Sequence, residues 1–128
     1  MPSECQQEAA RMLRLARRDL KAAVSMIDPE LFEEASWGFH VQQATEKALK
    51  AWISALDKDY PRTHDLALLM RLVMDFGGDP SSYEALTNFS PFGARWRYED
   101  DLESLNLIRQ EWNQLCTDLV ERVAELIP

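Results

Sequence analysis

Apolar residues recur every three or four positions along most of this chain. In the first quarter Met12, Leu13, Ala16, Leu20, Ala23, Val24 and Ile27 follow the spacing of one helical face. They predict a first helix from about Ser3 to Ile27, with Ser3 placed to cap it. A second begins near Pro29 or Glu30, because proline suits a first helical turn, and meets no breaker except Gly38 before about Asp57. A third spans about His64 to Phe76, with Leu66, Leu69, Met70, Val73 and Phe76 on one face, and either Thr63 or Asp65 can cap it. A short fourth helix is expected over Ser81 to Asn88. The last runs from about Asp100 to Ile127. There Leu102, Leu105, Ile108, Trp112, Leu115, Leu119, Val123 and Leu126 keep the same step. Asp100, Asp101 and Glu103 would lie at its start, where the helix dipole favours acids.

No stretch alternates with period two, so no sheet is expected. The breaks coincide with the clusters at Pro29, Pro61, Gly77–Pro80 and Pro91–Gly93. Amphipathic helices joined by short connections give an all-α fold: an antiparallel four- to five-helix up-and-down bundle. It is expected to form a single helical domain over residues 1–128.

Composition narrows the class. The chain has 128 residues, 46% of them apolar and 28% charged, which suits a globular protein folding around one core without a disulfide or metal. The first twelve residues are polar and charged, with no apolar stretch of a secretory signal, and Leu66 to Met70 is the longest purely apolar run. No membrane contact is expected, and a cytoplasmic location is. Cys5 and Cys116 lie far apart with no Cys-x-x-Cys spacing, so both are expected as free thiols. Fourteen bases against 22 acids leave a net charge of −8, which disfavours a broad nucleic-acid surface. The excess is uneven. From Glu99 to Pro128 eight acids face two bases, whereas the first 28 residues hold five bases and four acids. An anion site is therefore confined away from the last helix.

Catalytic motifs are mostly missing. No glycine-rich phosphate loop is present. Neither histidine follows a glutamate by three positions, and two histidines make a poor ligand set, so no metal and no cofactor is expected. Three polar groups remain. In the second helix His40, Gln43, Lys47 and Lys50 share one face, with Glu46 and Lys50 paired at i, i+4. This is either a solvated face with an ion pair worth about 0.3–0.5 kcal/mol, or an amide and two ammonium groups aimed at a phosphate or an acidic partner. The second group is Pro61-Arg62-Thr63-His64-Asp65-Leu66 at a helix start. It is either a local cap or an anion seat strengthened by Arg62. The third, Arg95-Trp96-Arg97-Tyr98, interleaves two arginines with two aromatics. It either stacks a base and pairs a phosphate or closes one end of the bundle.

These groups, in this order, resemble the HEPN domain family (higher eukaryotes and prokaryotes nucleotide-binding). The run Gln42-Gln43-Ala44-Thr45-Glu46-Lys47-Ala48-Leu49-Lys50-Ala51 is similar to the family's second-helix signature. Thr63-His64-Asp65-Leu66 matches its turn, and Arg97-Tyr98-Glu99 resembles its Arg-Tyr-Pro segment with glutamate for proline. Ala16, Asp19, Leu20 and Ala23 fit its first helix. The similarity covers roughly residues 9–125. It implies a helical bundle, often a homodimer, which in many relatives accompanies a small nucleotidyltransferase encoded nearby, as a toxin–antitoxin pair or a substrate-binding partner. Other relatives are RNases, marked by an arginine followed, after four to six intervening residues, by a histidine. Here Glu33, Glu34 and Ala35 precede His40 at those positions, and Asp57, Lys58 and Asp59 precede His64. The resemblance therefore implies a non-nuclease member without catalytic residues. Its ligand-binding candidates are Gln43, Lys47, Lys50, Arg62, Thr63, His64, Asp65, Arg97 and Tyr98. The alternatives are a metal-independent RNase toxin with an unusual site on His64, and a purely structural bundle. Trp37, Trp52, Trp96 and Trp112 are many large apolar groups for this length, and some are expected at a dimer interface.

Overall fold

A computed structural model describes residues 2–93 and 104–128. Helix α1 (Glu4–Ser25) starts on a capping box: Ser3 Oγ accepts from Gln6 N at 3.1 Å, and Gln6 Oε1 accepts from Ser3 N at 2.8 Å. Helix α2 (Glu34–Ala55) begins later than the proline suggests. Asp28 takes the intervening residues into a turn, its side chain accepting from Glu30 N and its carbonyl from Leu31 N and Phe32 N. Helix α3 (Leu66–Asp75) is capped by Asp65, whose carboxylate accepts from Leu68 N at 3.2 Å. A 3-10 helix occupies Ser81–Phe89. Helix α4 (Arg109–Ala124) closes the chain.

The start of α4 corrects the sequence expectation. Asp100 lies outside the described residues, and residues 104–108 are not helical. Their backbone donors are drawn instead to α2, where the Glu34 carboxylate accepts from Leu105 N at 2.7 Å and from Leu107 N at 3.1 Å. Asn106 turns the chain there at a positive φ of 53°. Apolar period alone cannot see a distant carboxylate competing for these N–H groups.

The described elements are all helical, as expected, and form a bundle. Asp19 of α1 meets Lys47 of α2, and Glu8 meets Tyr60 beyond its end, so α1 and α2 run antiparallel. Asn113 reaches Ala23 O, and Arg17 pairs with Glu121, so α1 and α4 are antiparallel as well.

The core takes up two of the four tryptophans. Trp37 and Trp52 are fully buried rather than available to an interface, and half-buried Trp112 packs edge-on against Phe89. Trp96 lies outside the described residues. Burying one tryptophan removes about 200 Å² from water, an upper limit of roughly 5 kcal/mol. The polar edge of Trp37 is satisfied too: Nε1 donates to Asn113 Oδ1 at 2.8 Å. Arg109 then locks the end of α1 to the start of α4, donating to Met26 O at 2.8 Å while its guanidinium stands 5.5 Å from the Trp37 ring.

Gly38 lets Phe92 lie directly on α2, because a Cβ there would fall 2.5 Å from the ring. Gly38→Ala is expected to lower stability by about 1–3 kcal/mol through overpacking. In the background of Phe92→Ala the same change should cost much less, which denaturant melts of the two single variants and the double variant will measure.

Candidate functional site

The polar face of α2 does not point into water. It packs against α1 and the segment leading into α3, where two carboxylates organise it. Asp19 holds His40 Nδ1 at 3.0 Å through one oxygen, and the other accepts from Lys47 Nζ at 2.5 Å. Glu46 accepts from Gln42 Nε2 at 3.1 Å and His64 Nδ1 at 2.8 Å on Oε1, and from Lys50 Nζ at 3.1 Å on Oε2. Gln43 joins the line by donating to Gln42 Oε1 at 2.7 Å.

The Glu46–Lys50 pair is therefore not the solvated i, i+4 pair of the sequence reading. The two side chains are 5% and 10% exposed. Lys50 Nζ also stands 5.4 Å from the centre of the Tyr60 ring. Tyr60 in turn donates to Glu8, which Arg11 grips at 2.6 and 2.9 Å. Burial and this carboxylate push the Tyr60 phenol up, and Arg11 holds the Glu8 carboxyl below its usual range.

This arrangement sorts the sequence candidates. Gln43, Lys47 and Lys50 are brought together, but Asp19 and Glu46 already neutralise the two lysines. Asp65 and Thr63 are local: one caps α3, and the other accepts from Asp65 N at 3.1 Å. The head of α3 is not an open anion seat, since Asp65 fills it and Ser90 Oγ takes Leu66 N at 3.3 Å. Arg97 and Tyr98 lie outside the described residues. Two groups stay open to solvent. Arg62 is exposed, carries no ion pair among the described residues and lines a cleft of about 440 Å³ with Tyr60, Ser54, Cys5 and the acids Glu4, Glu8 and Asp59. His64 has 81% of its side chain exposed. Because a carboxylate accepts at its Nδ1, that nitrogen carries the proton, and neutral His64 presents Nε2 outward as an acceptor.

Sequence reasoning missed Asp19 and Gln42 as parts of this centre and left open whether Glu46 faced solvent. Asp19 carried one available signal, a lone acid beside the buried stripe of α1. No group of three or more histidine, cysteine or acidic side chains among the described residues is arranged to hold a metal ion.

The family model described as HEPN domain matches residues 9–127 of the chain. No curated protein and no solved structure matches it.

Truncating Glu46 would leave Lys50 buried without its partner. Glu46→Ala is expected to cost about 3–5 kcal/mol in denaturant melts, the range for breaking a buried pair. Exposed Arg62→Ala should stay within about 0.5 kcal/mol of the parent.

Proposed function

Taking as premise that this chain belongs to the HEPN domain family, we propose that it is a non-catalytic module that binds the phosphates of a nucleotide through His64 and Arg62. The nucleotide is either free or carried by a small nucleotidyltransferase encoded nearby, in a toxin–antitoxin or substrate-binding role. One observation carries the reading: a buried carboxylate fixes the imidazole of His64 from behind and leaves its outer edge in water, two residues from an arginine with no ion pair among the described residues. Arg62 offers a planar fork that matches phosphate oxygens, and protonated His64 would add a second charged donor at Nε2. Lys47 and Lys50 support the site from within by balancing Asp19 and Glu46. Arg97 and Tyr98 remain candidates to stack the base. The overall acidity suits one small anion or one protein partner better than a long polyanion.

The same pair motivates a second reading. A carboxylate behind an imidazole is the arrangement that orients a general acid or base, so His64 could serve a metal-independent RNase.

One set of measurements separates the two. At millimolar ATP or GTP, a site with a Kd near 0.1 mM should raise stability by about 1.4 kcal/mol, a shift of a few degrees in the melt. Arg62→Ala and His64→Ala should each remove that shift. No stabilisation by any nucleotide would sink the binding reading. RNA kept intact by the wild-type protein in chelator would dispose of the RNase, whereas cleavage lost in His64→Ala would establish it.

A further inference from the structure

The cleft beside Arg62 has two ends of opposite character. Glu46, Lys50 and Ser54 stand at i, i+4 and i+8 on one face of α2, about 12 Å from first to last. The connection after α2 returns along that face: Tyr60 lies under the Lys50 ammonium, and His64 sits on Glu46. Arg62 and His64 make the basic end. Ser54, Glu4 and Asp59 make the other. Both of these acids are exposed, and neither has an ion pair or a side-chain hydrogen bond among the described residues. Glu8, the third acid of the cleft, is already taken by Arg11 and Tyr60. Acids at a surface are ordinary, and a second observation marks this place. Ser54 is only 3% exposed and lines the cleft, yet its hydroxyl has no hydrogen-bond partner among the described residues. Thr45, on the same helix, instead returns its hydroxyl to Val41 O at 2.8 Å. A buried hydroxyl left open toward a cleft is costly until something in the cleft completes it.

We infer that the acidic end reads the base of the nucleotide, and that the base it selects is guanine. The inference rests on the nucleotide reading above and goes further by choosing among bases. With the phosphates at Arg62 and His64, the base falls toward Ser54, about two helical turns away along α2. An ionised carboxylate only accepts hydrogen bonds, so Glu4 and Asp59 need a base edge that donates. Guanine presents its N1–H and its N2 amino group side by side, and one carboxylate takes both in parallel. Adenine and cytosine place a ring-nitrogen acceptor next to their amino group. Uracil flanks its N3–H with two carbonyls. Each of these sets a lone pair against the carboxylate. Ser54 Oγ both donates and accepts, so it can complete guanine at O6 or N7. A polyamine would satisfy the two acids but would bring a cation against Arg62. Only a ligand that is anionic at one end and a donor at the other matches the whole cleft.

Titration calorimetry of the full chain with GTP, ITP and ATP tests it, since inosine lacks only the N2 amino group of guanosine. GTP should bind about tenfold more tightly than ATP, with ITP between them. E4Q/D59N changes two exposed side chains and should bring GTP to the level of ATP. Ser54→Ala should weaken GTP about fivefold. Circular dichroism confirms that both variants fold. Equal affinities for the three nucleotides, or a GTP affinity that either variant leaves unchanged, would overturn the inference and leave the nucleotide reading standing. Binding of spermidine with no binding of any nucleotide would overturn both.

Discussion

A buried carboxylate is tolerated only when its lone pairs are filled, and Glu46 shapes this protein through that requirement. Removing its charge from water costs several kcal/mol unless donors replace the lost hydration. Gln42 and Lys50 come from the same helix, one turn on either side. The third donor, His64, comes from the far end of the 56–65 connection. The carboxylate therefore does more than pair a lysine. It draws Lys50 inward over Tyr60, orients the imidazole and anchors the entry to α3 on α2. The exposed edge of His64 is then a product of folding rather than a flexible surface group, which gives it value as a recognition element.

Much of the architecture was legible because it follows local rules. Ser3 and Gln6 form the cap that their spacing suggests, and the apolar stripe of α1 is buried where its period places it. The errors arose where a distant residue outcompeted a local pattern. Pro29 looked like a helix opener until Asp28 captured the following N–H groups, and Glu34 diverted Leu105 and Leu107 from the helical continuation that their spacing implied. The site was legible in its residue types and not in its polarity. The i, i+4 spacing of Glu46 and Lys50 is the same whether the pair faces water or the interior. What separates the cases is where the chain beyond α2 places Tyr60 and His64, one under the Lys50 ammonium and the other on the Glu46 carboxylate.

Cancellation of charge is a recurring device here. Asp19 against Lys47 and Glu46 against Lys50 leave the inner cluster without formal excess when both histidines are neutral, so its outward character depends on Arg62 and on the protonation of His64. The acid surplus of the chain is kept elsewhere, much of it from Glu99 onward. Arg62 itself shares its cleft with the acids Glu4, Glu8 and Asp59, so the charge argument limits the size of a ligand there without forbidding one.

Cys5 and Cys116 meet opposite fates in this packing. Burial pushes the Cys116 thiol up to about 12, even though Thr45 lies 3.7 Å from its sulfur, and so keeps it protonated and inert. Cys5 stays half-exposed on the wall of the cleft that Arg62 and Tyr60 also line. Its own thiol is raised by local desolvation and by Asp57, which slows its chemistry without hiding the sulfur. The natural chain thus carries a built-in attachment point for a fluorophore or spin label, a few side chains from the open arginine. Occupancy of that corner becomes readable by spectroscopy with no cysteine engineered in and none taken out.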